Sequence, residues 1–336
     1  MKMIVAADLG GTKCNIMLFE KDGGRLSAIH RRQVATAQFA NIEAFLQDFI
    51  SDVKREVRSF KPGDITSAGV GVAGAIVGDG VVCNNLPWTI TRQRISEALG
   101  IAPQNTVLLN DVEAAASSLA YLEQKDMLPL NDAKPQAHAP KLYVAAGTGL
   151  GESILFWNGV RYQVSPCEAG LTDFAPRNES EIAILKFLQQ HMRLVCTEEL
   201  VSGRGFRAIH EALFPEVHHS FFNDPAADSA ANITQQAFAK ACSACERTLD
   251  LWTGIYGSEA GNMALRTLPF GGVYVGGGIA LKILPKLKDG AFVRAFCDKT
   301  KLAEELARIP IYVVLNHDAP VLGAAYAVLA VSRASE

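Results

Sequence analysis

Asp8-Leu9-Gly10-Gly11-Thr12 divides two apolar runs, Met3 to Ala7 and Asn15 to Phe19, a pattern that predicts a β-hairpin. Glycines at a hairpin tip let a polyanion approach the main chain and accept N–H hydrogen bonds. Asp8 repels such an anion unless a cation stands between them, and its chemistry suits hydrated Mg²⁺, which keeps several waters and few protein ligands. A plain tight hairpin with an accessory Asp accounts for this turn alone equally well. The turn is not a Walker loop, which needs Gly-Lys-Ser/Thr before a helix. Gly147-Thr148-Gly149-Leu150-Gly151 repeats the arrangement between Leu142–Ala146 and Ser153–Trp157, and two such turns can clamp one phosphate chain. A third group, Gly276-Gly277-Gly278, follows the strand-like Val273–Val275 and opens a helix, where backbone can approach a nucleotide closely. It is no dinucleotide fingerprint, because Leu281 stands where the last glycine belongs. Three carboxylates complete the set. Asp111 ends the strand-like Thr106–Leu109, where open α/β sheets bind ligands. Glu168 and Glu198 stand out by context only, and each taken singly reads as a surface or cap residue.

The elements that must position these residues alternate in type. Ile42, Phe45, Leu46, Phe49, Ile50, Val53 and Val57 form one apolar stripe of a helix within 41–60. Ala68–Val72 reads as a buried strand and Glu113–Leu122 as a helix. The polar stretch 123–140, with prolines, reads as a surface excursion. Residues 231–268 read as one long helical region interrupted near Gly254 and Gly257-Ser258, and Pro320–Ser332 as a last amphipathic helix. The order implies α/β architecture with largely covered sheets. The recurrence of strand, glycine turn with Thr, and strand at Thr12 and Thr148 suggests two related halves.

Composition narrows the function classes. The 336 residues are 49% hydrophobic and 20% charged with a net charge of −3, so a large core is expected and no basic excess exists for nucleic acid. No apolar run approaches the ~20 residues of a membrane span, and the N-terminus has no signal-peptide pattern. Seven Cys in apolar contexts fit a reducing cytoplasm better than a disulfide framework. Cys242-Ser243-Ala244-Cys245 has redox-motif spacing but lies in helical pattern, which favours two small helix-face residues. His218-His219, near Asp224 and Asp228, reads as a solvated loop in preference to a metal site. Trp88 and Phe174 read as packing residues.

Together these segments resemble the bacterial glucokinase family, within the hexokinase/actin/heat-shock ATPase-like superfamily. The resemblance runs in order through Asp8-Leu9-Gly10-Gly11-Thr12, Asn84-Asn85-Leu86-Pro87-Trp88, Leu109-Asn110-Asp111-Val112-Glu113-Ala114, Gly147-Thr148-Gly149-Leu150-Gly151, Asp173-Phe174-Ala175-Pro176-Arg177 and Glu198 with Ser202-Gly203-x-Gly205. It closes with Ala260-Gly261-Asn262-Met263-Ala264-Leu265, Gly271-Gly272-Val273-Tyr274, Gly276-Gly277-Gly278-Ile279-Ala280 and Leu322-Gly323-Ala324-Ala325.

The resemblance implies a two-domain actin-like ATPase (ribonuclease H-like) fold with an interdomain cleft: a smaller domain of residues 1–111 plus 319–336 and a larger one of 112–318. It implies transfer of the γ-phosphoryl of ATP to the 6-hydroxyl of a hexose, most simply glucose. Asp111 matches the catalytic base, and Asn110, Glu168 and Glu198 match residues that hydrogen-bond sugar hydroxyls. Ala7 to Thr12 and Gly147 to Gly149 match phosphate loops, and Gly276 to Gly278 the adenosine site. ATP, Mg²⁺ near Asp8 and a cytoplasmic homodimer follow from the same likeness. Such a site of carboxylates and one amide suits a neutral polyol, which offers several O–H donors.

Three segments depart from the family. Leu171 replaces a His that contacts the sugar near its anomeric hydroxyl, which leaves phosphoryl transfer intact but bears on glucose preference, affinity and anomer selectivity; the neighbouring Thr172 is a substitute donor. Arg204 stands where Pro is frequent, and Ala145-Ala146 where Gly-Pro is common. The cysteine-rich zinc motif of related repressors and kinases is absent, so neither structural zinc nor DNA binding is expected. The alternatives are a kinase for another hexose or an amino sugar, a non-catalytic sugar-binding relative, and a filament or chaperone ATPase of the same fold.

Overall fold

Strand β1 (Met3–Leu9) is buried along its length except at half-buried Asp8, which makes it a central strand. It pairs antiparallel with β2 (Lys13–Asp22), from Met3 opposite Glu20 to Leu9 opposite Cys14, so the hairpin expected around Gly10-Gly11-Thr12 forms. β2 pairs antiparallel with β3 (Arg25–Ala35), a polar edge strand. On its other side β1 runs parallel to β4 (Ile65–Val72), and β4 parallel to β7 (Thr106–Asn110). Between them, β5 (Ala75–Val77) and β6 (Gly80–Val82) form a separate small hairpin. The structure, a computed structural model, describes residues 2–22, 25–82 and 86–332; Asn84 and Asn85 of the family-like segment lie outside the described residues.

Helices cover both faces of this sheet. Helix α1 (Ile42–Glu56), capped by Asn41 accepting from the Ala44 N–H at 2.8 Å, buries the expected stripe of Ile42, Phe45, Leu46, Phe49 and Val53. Trp88 and α2 (Arg92–Leu99) join the same core, with the Trp88 indole donating to the Phe39 carbonyl at 3.0 Å. The opposite face takes α3 (Asp111–Ser117) and α12 (Ala319–Ser332). The sequence pattern made α12 amphipathic; instead, no residue from Ala319 to Ala330 is exposed, because sheet and α3 cover it from different sides. A Cβ at Gly323 would lie 1.7 Å from the Ala114 carbonyl oxygen of α3, so the two backbones approach as only glycine permits.

A second sheet repeats the first. Here β9 (Lys141–Ala146) pairs antiparallel with β10 (Leu150–Trp157), and β10 with β11 (Tyr162–Cys167). β9 then runs parallel to β12 (Val273–Gly276), and β12 to β13 (Ile311–Val314). The orders β3-β2-β1-β4-β7 and β11-β10-β9-β12-β13 therefore correspond strand for strand, which is the duplication suggested by the two Thr-bearing turns. One extra strand, β8 (Met127–Pro129), pairs antiparallel with β13. The stretch 123–140 is thus not wholly an excursion: its partner lies far along the chain, out of reach of any local pattern.

Helices α4 (Glu179–Leu188), α5 (Gly203–Leu213), α6 (Ser229–Phe238), α7 (Ser243–Thr267), α8 (Gly277–Lys282), α9 (Leu284–Leu287), α10 (Ala291–Cys297) and α11 (Ala303–Ala307) surround this sheet. The expected interruption near Gly254 and Gly257 does not occur; α7 is unbroken, and the break falls between α6 and α7. Gly257 serves contact, not bending, since a Cβ there would meet the Phe292 carbonyl of α10 at 2.3 Å.

The chain divides into two units, Met1–Glu123 with Asn316–Glu336, and Gln124–Leu315. The first unit extends beyond the expected limit at residue 111 because α3 and the 3-10 turn Ser118–Ala120 pack on α12, with Tyr121 stacked on Tyr326 at 3.4 Å.

In β10, Glu152 is 2% exposed and neither carboxylate oxygen has a hydrogen-bond partner. Burial, with Glu259 nearby, pushes its pKa from 4.5 up to about 8. The native state therefore holds a proton that the unfolded chain releases. Unfolding free energy should fall by about 1.4 kcal/mol per pH unit at most between those two values as pH rises. Urea titrations at pH 5 to 8 should show that slope, and Glu152→Gln should flatten it.

Candidate active site

In the first unit, β1 and β7 are both parallel to β4, so their carboxyl ends meet at one sheet edge. Asp8 sits there, accepting from the Asn15 side-chain amide at 3.3 Å. Burial pushes its pKa up to about 6, and the neighbouring Asp111 carboxylate adds to the shift. Beyond Asp8 the turn is closed by the Gly10 N–H donating to the Lys13 carbonyl (3.1 Å) and the Thr36 hydroxyl donating to the Gly10 carbonyl (2.7 Å). Ala7 and Leu9 have fully buried side chains and offer a ligand their main chain only.

Asn110 and Asp111 mark the step from β7 into α3. Asn110 Oδ1 caps the helix, accepting from the Val112 N–H at 2.9 Å, while its Nδ2 donates to the Gly74 carbonyl at 3.1 Å. Asp111 Oδ1 also accepts from the Val112 N–H at 2.9 Å. A carboxylate in the first turn of a helix is stabilised by the N-terminal dipole, so this placement is locally favourable.

In the second unit, the Gly147 N–H donates to the Gly149 carbonyl at 2.8 Å, and the Gly203 N–H to the Gly147 carbonyl at 2.8 Å. Glu198 is drawn onto this turn: its Oε2 accepts from the Leu150 N–H at 3.0 Å and its Oε1 from Arg204 at 2.8 Å. Arg204, in place of the family's Pro, also reaches Glu199. Glu168 is exposed at the entrance of the 3-10 turn Ala169–Leu171, which packs against the turn Thr197–Glu199. The Thr197 N–H donates to the Thr172 carbonyl at 2.9 Å, joining the segments that hold Glu168 and Glu198. Leu171 is 56% exposed, and the Thr172 hydroxyl is spent on the Ala169 carbonyl at 2.8 Å.

The parallel pairing of β9 with β12 brings Gly276 to Gly278 beside the second turn. Gly147, Thr148, Gly203 and Gly278 line one cavity of about 290 Å³, at the small end of the range for small-molecule sites. Phe206, Asp228, Thr234 and Lys282 line it too, with Lys282 Nζ 3.2 Å from Asp228 Oδ2. No motif marks these four, because α5, α6 and α8 meet only through tertiary packing.

The glucokinase family model matches residues 5–331. The chain belongs to the glucokinase family. It is 34% identical to a glucokinase of Nostoc punctiforme, covering 97% of this chain and 98% of that one. Its fold is similar to that of a glucokinase from an Antarctic psychrotroph (TM-score 0.83, 22% identity, 98% and 99% of the two chains). It also resembles a ROK family glucokinase from Streptomyces griseus solved with glucose and AMPPNP (TM-score 0.62, 18% identity, 96% and 98% covered). The mixed α/β, actin-like two-domain fold expected from the sequence is therefore the fold of this chain.

One expectation fails outside these residues. Cys242 and Cys245 do lie at the start of helix α7, as expected, but His219 is not in a solvated loop. His219 is half-buried, stacked on Phe221, with its Nε2 3.4 Å from Cys245 Sγ; only its neighbour His218 is exposed.

Gly277 has φ +82°, and a Cβ there would lie 2.6 Å from the Ala146 carbonyl oxygen, whereas Gly278 faces open space. Gly277→Ala should cost about 1–3 kcal/mol in urea unfolding. Gly278→Ala should change it by less than about 1 kcal/mol.

Proposed function

We propose that this chain is an ATP-dependent glucokinase that transfers the γ-phosphoryl group of ATP to the 6-hydroxyl of glucose, with Asp111 as general base. The observation that carries the reading is the placement of Asp111 near Asp8, at the end of β1 that leads into the Gly10-Gly11-Thr12 turn, in a member of the glucokinase family. In the proposed step, the hexose 6-oxygen forms a bond to the γ-phosphorus while its proton passes to the Asp111 carboxylate. The bond from phosphorus to the bridging oxygen breaks, and ADP leaves.

Asn110, Glu168 and Glu198 are proposed to hold sugar hydroxyls. Each Glu198 oxygen already has one donor, and each keeps a lone pair for a hydroxyl. The main chain of Ala7 to Thr12 and of Gly147 to Gly149 is proposed to bind the phosphates. The cavity bordered by Gly278 is proposed to take the adenosine; its mixed polar and apolar lining fits a base and ribose.

Asp8 fits a divalent cation: it is a desolvated carboxylate with one amide partner beside a turn suited to phosphate. Mg²⁺ held there would neutralise the charge of the phosphate oxygens. Cytoplasmic location and a homodimer belong to the same proposal and rest on the family; among the described residues no helix is long and apolar enough to cross a membrane.

A second reading, a kinase for a different hexose or an amino sugar, is favoured by one observation. Leu171, next to the Glu168 turn, is exposed and cannot hydrogen-bond, so no side-chain donor at that position selects glucose.

ADP release across a panel of hexoses and amino sugars tests both readings. Glucose should give the highest kcat/KM, and Asp111→Ala should lower kcat about 10²–10⁴-fold. A higher kcat/KM for another sugar supports the second reading, and hexose-independent hydrolysis would overturn both. The pKa of Asp8, about 6, also predicts that kcat/KM for MgATP declines as pH falls through that value, as the carboxylate takes up a proton. Asp8→Asn should abolish that limb of the profile together with most activity.

A further inference from the structure

His210, on α5, is completely buried, and neither ring nitrogen has a hydrogen-bond partner. A buried imidazole left unpaired costs about 1–3 kcal/mol, so something is expected to satisfy it. Three further side chains converge on the same point: His219 from the α5–α6 connection, Cys242 at the N-cap of α7 and Cys245 in its first turn. One ligand atom from each of the four lies within 4.8 Å of all the others. His219 Nε2 is 3.7 Å from Cys242 Sγ and 3.4 Å from Cys245 Sγ.

These spacings match a tetrahedral ion. With Zn–S of about 2.3 Å and Zn–N of about 2.0–2.1 Å, tetrahedral angles put sulfur and nitrogen ligands roughly 3.5 Å apart. The donor set of two thiols and two imidazoles, one pair from a Cys-x-x-Cys step, is that of closed structural zinc sites. Both thiols are free, so no disulfide competes for the sulfurs. The Cys245 N–H already points at Cys242 Sγ from 3.5 Å, a contact that strengthens when the sulfur is an anionic ligand.

The surroundings are largely aromatic. Phe214 and Phe222 pack edge-on to His210, and Phe221 stacks on His219.

We propose that His210, His219, Cys242 and Cys245 form a structural zinc site. Four protein ligands leave no open position for a substrate, so the ion's role is to staple the connection between α5 and α6 onto the start of α7. That connection ends at Asp228, which caps α6 and borders the 290 Å³ cavity. The zinc site is independent of which sugar the enzyme takes.

Elemental analysis of the purified full chain, prepared under reducing conditions, should find one zinc per chain. Replacement of zinc by Co²⁺ should produce the visible bands of a tetrahedral, thiolate-bound ion. Chelator treatment should lower Tm, and zinc alone should restore it. Cys242→Ser and His219→Ala should each raise the rate of zinc loss to chelator roughly tenfold or more. Because the Co²⁺ spectrum and chelator response are read on the unaltered chain, a variant that fails to fold leaves the test intact. Metal-free protein that takes up neither ion, an octahedral Co²⁺ spectrum, or a Tm indifferent to chelator and zinc would each overturn the proposal. A Cys242–Cys245 disulfide in reduced preparations would do the same.

Discussion

Asp8, desolvated by burial, and Asp111 stand at the carboxyl ends of β1 and β7, close enough that the second carboxylate adds to the rise in the first one's pKa. Such an arrangement is unfavourable by itself and persists only where the framework leaves the side chains no escape. The framework here is three parallel strands, which bring the end of β1 and the end of β7 to the same edge across β4. Asn110 then sets the first turn of α3 with two side-chain hydrogen bonds, and α12 presses on α3 closely enough to require glycine at 323. The result is a polar end of the sheet where two carboxylates lie close to one glycine turn.

The second unit solves a related problem with the same sheet. Its glycine turn is braced from outside, by Glu198 on the Leu150 N–H and by Gly203 on the Gly147 carbonyl. Helix α5 ties several of these demands together. Gly203, its first residue, holds the turn; Phe206, one turn on, lines the cavity; His210, another turn on, enters the cluster with His219, Cys242 and Cys245. Residues at this spacing share one face of a helix. A shift of α5 along its axis would therefore disturb turn, cavity and cluster at once.

Much of this was legible in the chain. Both Thr-bearing turns, the stripe of α1 and the ordered motif set depend on neighbours a few residues away, and the sequence states those directly. Motifs told which residues the family resemblance marks for phosphate and sugar. They did not tell that Glu198 spends one hydrogen bond on its own turn and another on Arg204.

Most of the strands and helices, the doubled turns and the family can be read along the chain, because local periodicity and glycine spacing act over one or two turns of it. Long-range packing sets the partner of β8, the passage of α7 through its glycines, the lack of an exposed residue from Ala319 to Ala330 in α12, and the turn of His219 inward to two cysteines. Each of those outcomes depends on a surface supplied by a distant part of the chain, and no local pattern encodes a contact whose other half is elsewhere.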